Sequence, residues 1–226
     1  VRAFASPADL AEALASSVAD ALKARIARDS AATLAVSGGT TPVKFFQTLA
    51  ARQLNWAAVT ITLVDDRWVP ESSPRSNAGL VRQHLLQGEA AVAAFVPLVN
   101  GAATPEAGLA AADAAISKLR PFTAVALGMG TDGHTASFFP GGNNLAQALA
   151  PTRGQAVETM RAEAAGEPRI TLTLPVLLEA GYVALHIEGE AKRRALEAAM
   201  RPGAVTDMPV RAILSRDPAP DIFWSP

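Results

Sequence analysis

Short apolar runs that end on polar loops, each followed by a helical pattern, restrict this chain most. Ala31–Val36 runs into Ser37-Gly38-Gly39-Thr40-Thr41-Pro42, after which Val43–Ala51 has helical spacing. Val59–Val64, rich in β-branched residues, ends on the polar stretch Asp65–Ser76, and Asn77–Leu86 is helical again. Thr123–Leu127 leads straight into Gly128-Met129-Gly130-Thr131-Asp132-Gly133-His134. Strand, turn and helix in that order make half of a βαβ unit. The expected fold class is therefore α/β, a mainly parallel sheet with helices on both faces. Ligands of such sheets bind beyond the carboxyl ends of the strands. The loops at 37–42, 65–77 and 128–142 all follow strands and should open on one edge of the sheet.

The rest of the chain fits the same alternation. Ser6-Pro7 reads as an N-cap followed by proline at the first helical position, and Leu10, Leu14, Val18 and Leu22 then recur four apart. Further strands are expected at Phe95–Val99, Ala156–Met160, Arg169–Leu174, Tyr182–Ile187 and Asp221–Trp224. Helices are expected at Pro105–Leu119, near Asn144–Leu149, and at Pro175–Ala180, Glu190–Met200 and Pro209–Leu214. With 226 residues, half of them hydrophobic, the chain suits a single domain over 1–226.

Charge and composition narrow the partners. A net charge of −1 offers no basic field for nucleic acid, so a phosphate site has to come from a local group of cations. The absence of cysteine removes disulfides, thiolate metal sites and thiol nucleophiles together, and fits a reducing compartment. No apolar run approaches the roughly 18 residues that cross a bilayer. Val1–Pro7 lacks the apolar centre of a signal peptide. The expectation is a cytoplasmic protein with a small-molecule partner and no membrane, acting as a monomer or weak homodimer.

Chemistry concentrates in the loops. Ser37, Gly38, Gly39 and Thr40 would let backbone N–H groups approach an anion at a helix N-terminus. The same residues equally suit a tight turn capped by Thr41 with Pro42 at the first helical position. Gly128-x-Gly130-x-x-Gly133 spells a dinucleotide fingerprint, but Pro140-Gly141-Gly142 arrives before a helix can form and no acidic ribose partner follows. What remains there is Asp132-Gly133-His134. A neutral histidine takes a proton from water near pH 7, and a nearby carboxylate orients the ring. His84 and His186 fall in regular elements and read as structural.

Asp65-Asp66-Arg67 offers a base, a perturbed acid pair or a phosphate-binding arginine, or else one solvated ion pair. Ser76, before Asn77, reads as an N-cap. Glu188-Gly189-Glu190-Ala191-Lys192-Arg193-Arg194 sets three cations near a helix N-terminus, where the helix dipole disfavours them. A bound phosphate at Lys192 would explain that placement, with Arg193 and Arg194 at the surface. Arg169, after Pro168, is a second candidate cation. One loop histidine and no cysteine give no metal-ligand spacing, so neither metal nor cofactor is expected.

SGGTTP at 37–42, DDRWVP at 65–70, SN at 76–77, GMGTDGHTASFFPG at 128–141, PRIT at 168–171 and GEAK at 189–192 together resemble the 6-phosphogluconolactonase family, in family order and over nearly the whole chain. The segment 128–141 carries most of the resemblance. It implies the Rossmann-like fold shared with glucosamine-6-phosphate deaminases and ribose-5-phosphate isomerase, and hydrolysis of 6-phosphoglucono-δ-lactone in the pentose phosphate pathway. It also implies His134 as general base supported by Asp132, with substrate held by a set drawn from Ser37, Gly38, Gly39, Thr40, Asp65, Arg67, Asn77, Arg169 and Lys192. The deaminases typically carry DEY where this chain has Asp65-Asp66-Arg67. They place an acid where this chain has Phe139, so the resemblance favours lactone hydrolysis over amine chemistry. A sugar-phosphate-sensing regulator would need a DNA-binding module, for which an α/β pattern beginning at residue 6 leaves no room.

Overall fold

In the computed structural model, which describes residues 1–226, the chain begins with a short strand, β1 (Arg2–Ala3), and a long helix, α1 (Pro7–Asp29). The Ser6 hydroxyl caps α1, accepting from the Asp9 N–H at 3.2 Å. Leu10, Leu14, Val18 and Leu22 form its fully buried stripe. Then come β2 (Ala32–Val36), α2 (Val43–Ala50), β3 (Val59–Leu63), β4 (Asp65–Arg67), α3 (Asn77–His84), β5 (Ala94–Val96), α4 (Pro105–Ser117) and β6 (Ala124–Leu127). The second half contains α5 (Leu145–Leu149), β7 (Val157–Met160), β8 (Arg169–Leu172), α6 (Leu174–Leu178), β9 (Tyr182–Glu188), α7 (Glu190–Ala199), α8 (Val210–Leu214) and β10 (Asp221–Ser225). No helix is long and apolar enough to cross a membrane.

Seven strands form one sheet in the order β1-β10-β9-β6-β2-β3-β5, and all its pairings are parallel. The α/β expectation therefore holds. From β2 the chain steps outward through β3 to β5; from β6 it steps the opposite way through β9 to β10. Because parallel crossovers are right-handed, this reversal sends helices to opposite faces of the sheet. It also makes the adjacent pair β2 and β6 the switch point, where the loops leaving their carboxyl ends diverge and open a crevice. Both strands are almost wholly buried, so the crevice stands on a rigid base.

The second sheet departs from the sequence reading. Asp65–Arg67, taken as the start of a loop, is strand β4, and it pairs antiparallel with β8, which pairs antiparallel with β7. The strand expected at Arg169–Leu174 ends at Leu172, because Leu174-Pro175 opens α6. The strand expected at Phe95–Val99 is the shorter Ala94–Val96. This three-stranded sheet stands beside the crevice and brings β4 and β8 to its wall.

Candidate active site

A cleft of about 250 Å³ occupies the switch point. Its walls come from the loop after β2 (Ser37 to Pro42), Asp65 and Arg67 on β4, Asn77 at the start of α3, and Gly128 to Gly130, His134 and Ala136 in the loop after β6. Arg169 on β8, His186 on β9 and Lys192 on α7 complete it. The three loops therefore do converge on one edge of the sheet. Of the catalytic and substrate-binding residues expected from the sequence, all line the cleft but Asp132, which touches it through His134; Asp66, the other acid weighed there, does not.

One end offers unpaired backbone donors and a cation. The N–H groups of Gly38, Gly39, Thr40 and Thr41 make no hydrogen bond within the protein. They precede α2, whose cap position is Pro42 and which no side chain caps, so the structure does not form the Thr41-capped turn. Gly39 has a left-handed φ of 92°, and a Cβ on Gly38 would overlap the Asn77 side chain at 1.9 Å. Lys192 reaches the same loop, its Nζ 3.3 Å from Thr41 Oγ1. Burial lowers the Lys192 pKa, and the charge of Glu188 partly restores it.

Arginines line the middle of the cleft. Arg67 donates to Asn77 Oδ1 at 2.7 Å and to the Arg75 carbonyl at 3.0 Å. Asn77 in turn donates to the Asp65 carbonyl at 2.9 Å. Arg169 donates to the Ala165 carbonyl at 2.9 Å and lies 3.6 Å from Asp65 Oδ2, an oxygen that also accepts the Ser137 hydroxyl at 2.6 Å. Burial pulls the Arg169 pKa down against the pull of Asp65. The buried Nε–H groups of both arginines lack an acceptor, which carries an energetic cost.

His134 stands at the other end. Its Nδ1 is 2.6 Å from Asp132 Oδ1, and the same oxygen accepts the His134 backbone N–H at 3.1 Å. Above all, the bond to His134 holds the Asp132 carboxyl below its ordinary pKa. An ionised carboxylate only accepts, so Nδ1 carries the proton of the neutral ring and Nε2 is left basic. Gly130 makes room for this pair: a Cβ there would lie 2.3 Å from His134 Nδ1 and 2.5 Å from Asp132 Oδ1. The loop is closed by Gly130 N–H to the His134 carbonyl and Gly133 N–H to the Gly130 carbonyl, with Gly133 at φ 81°. No group of three or more His, Asp or Glu side chains is close enough to hold a metal ion.

The family model for glucosamine-6-phosphate isomerases/6-phosphogluconolactonase matches residues 5–224. A 6-phosphogluconolactonase of Rhizobium meliloti (strain 1021) is 52% identical over 225 residues, which are 99% of this chain and 97% of that protein. The chain belongs to the 6-phosphogluconolactonase family. The crystal structure of a 6-phosphogluconolactonase from Shewanella baltica OS155 superposes with a TM-score of 0.96 at 40% identity, covering 100% of this chain and 97% of that one. A monomeric glucosamine-6-phosphate deaminase shares the fold, with a TM-score of 0.76 at 17% identity over 99% of this chain and 95% of its own.

Within this family frame, several side chains sit differently from the sequence reading. Asp66 does not face the cleft. Its carboxylate accepts from the backbone N–H groups of Arg67 (2.8 Å), Asn77 (2.7 Å) and Ala78 (3.1 Å), and so caps α3. Burial pushes it up to about 6, against the pull of those N–H groups. Ser76 is an N-cap as expected, accepting from Gly79 N–H at 3.1 Å. His186, read as structural, lines the cleft with Nε2 2.9 Å from Glu188 Oε1. Arg193 turns away to Glu197 and the Trp224 ring.

Ser137 and Ala136 carried no separate signal beyond lying in the 128–141 segment, and Phe139 stood out only for occupying the place where the deaminases have an acid. Ala136 takes a left-handed φ of 50°, and the buried Ser137 hydroxyl after it reaches Asp65. The Phe139 ring packs on His134.

Proposed function

We propose that this chain hydrolyses 6-phosphoglucono-δ-lactone to 6-phosphogluconate, with His134 as the general base. The observation that carries the reading is the His134–Asp132 pair, which directs a basic Nε2 into a cleft whose far end offers unpaired N–H groups and cations. Family membership supplies the reaction class, a lactone hydrolase of the pentose phosphate pathway.

In this mechanism the phosphate rests on the N–H groups of Gly38 to Thr41 and on Lys192, at the positive end of α2. Arg67 and Arg169, which line the cleft, offer guanidinium N–H groups to substrate oxygens. Asp65 balances the charge of Arg169, and Asn77 fixes Arg67. Nε2 of His134 takes a proton from water as the water oxygen bonds to C1. The negative charge passes to the carbonyl oxygen, which an N–H of a glycine loop stabilises. As the carbonyl re-forms, the bond from C1 to the ring oxygen breaks. The imidazolium returns its proton to that oxygen, leaving a carboxylic acid and a free hydroxyl. Asp132 keeps the ring in the tautomer the first step needs and stabilises its charged form after it.

A pH-stat assay on freshly prepared lactone tests this. The expected result is rapid acid release by the parent protein and its loss in His134→Ala. A His134→Ala protein of undiminished kcat would remove the base, and ammonia release from glucosamine 6-phosphate would select the deaminase chemistry instead.

A further inference from the structure

One contact of His134 has no part in the proton transfers above. Asp132 holds Nδ1, but a single hydrogen bond fixes one atom and leaves the ring free to swing about that contact. Nε2, on the far side of the ring, moves most in such a swing. The pair is also part-solvated, with side chains 30% and 40% exposed, so water competes for the bond. Gly130 backs the Nδ1–Cε1 edge of the ring. Its plane is met by Phe139, whose centroid lies 4.4 Å from that of the imidazole at an interplanar angle of 29°.

Phe139 is itself firmly seated. It is 3% exposed, and backbone bonds run from its N–H to the Ser137 carbonyl and from Gly142 N–H to its own carbonyl. The guanidinium of Arg169, from the second sheet, sits 5.4 Å from the centre of the same ring.

We propose that Phe139 is a positioning residue for the reaction: its flat ring, stacked on His134, sets the imidazole plane so that Nδ1 meets Asp132 while Nε2 faces the cleft. The proposal rests on His134 acting as the base. It also gives the ring a part in the charged intermediate, because an aromatic face attracts a cation within about 6 Å, and proton uptake makes the imidazole one. A side chain of similar volume without a flat face fills the space but leaves the imidazole free to tilt.

The test compares Phe139→Leu, Phe139→Tyr and His134→Ala with the parent, by steady-state lactone hydrolysis and by proton NMR of the imidazoles, which only three histidines contribute. In the parent, the His134 ring protons are expected upfield of ordinary histidine positions, shifted by the aromatic ring current. In Phe139→Leu that displacement is lost and kcat falls tenfold or more. KM stays within about threefold, because Arg169 keeps Asp65 and the Ala165 carbonyl. Phe139→Tyr, retaining the flat ring, recovers most of kcat and the upfield shift. A Leu variant with kcat within twofold of the parent, or with unchanged His134 shifts, overturns the proposal; so does a folded Tyr variant as slow as the Leu variant. Full activity in His134→Ala would remove the base itself, and the spectrum would then decide alone whether Phe139 sets the ring.

Discussion

Replacing Gly130 by alanine should disable this site while leaving the fold intact. A Cβ at residue 130 would lie 2.3 Å from both Nδ1 and Cε1 of His134, and 2.5 Å from Asp132 Oδ1. Ordinary carbon contacts begin near 3.5 Å, so the imidazole must retreat by about 1 Å. All the clashing atoms belong to part-exposed side chains rather than backbone. Gly130 is not among the residues with positive φ, so alanine is compatible with its backbone and stability should stay within about 1 kcal/mol of the parent. The catalytic cost is different in kind. A displacement of that size loosens the bond to Asp132 and moves Nε2 off its line to C1, a misplacement worth on the order of 100-fold, or ~2.7 kcal/mol of transition-state stabilisation. The assay is kcat/KM on fresh lactone with spontaneous hydrolysis subtracted, alongside thermal melting. Adding Asp132→Ala to Gly130→Ala should cost little more than the worse single change, since both act on one pair. A Gly130→Ala protein within threefold of parental kcat/KM would refute the reasoning.

If Lys192 holds the phosphate alike in ground and transition states, as proposed, Lys192→Met should raise KM about tenfold or more with kcat nearly unchanged; steady-state kinetics would show it. Ser137→Ala removes the hydroxyl that donates to buried Asp65 and should cost roughly 1–3 kcal/mol in urea denaturation. The pH dependence of Asp66 has a definite sign. Its pKa rises from 3.8 to about 6 on folding, so its contribution to stability is complete below pH 3.8 and is lost as pH rises through 6. The parent should therefore gain stability relative to Asp66→Asn between pH 7 and pH 4, by up to ~3 kcal/mol. Denaturation midpoints at the two pH values would show a constant or reversed difference if the carboxyl is not destabilised by burial.

What was legible in the sequence followed from local periodicity. The stripe of α1, the buried β2, β3 and β6, and the loops at their ends all announce themselves within a few residues. The second sheet does not. Strand β4 is three residues, Asp-Asp-Arg, with no alternation of apolar and polar, and only its distant partner β8 makes it a strand. Asp66 caps a helix that begins eleven positions later, a contact with no local signature. The same applies to Ser137, which meets Asp65 from 72 positions away. Proximity in sequence to His134 could suggest that Asp132 helps it, but the stacking of Phe139 depends on how the loop folds back. His186, read as structural, also borders the cleft, because a strand residue near the sheet's carboxyl end can be buried and still line one.

The adjacency of β2 and β6 has a consequence for what the site can measure. The anion loop and the histidine loop leave neighbouring strands, about 4.8 Å apart in any sheet, and a bond from Gly128 N–H to Ser37 Oγ at 3.0 Å pins them together just beyond the strand ends. In the proposed binding mode the phosphate rests on the first loop and the reacting carbon faces the second, so backbone spacing helps to set the span between them. The expected consequence is a cleft that gauges length: a phosphorylated lactone one carbon shorter or longer should be hydrolysed more slowly.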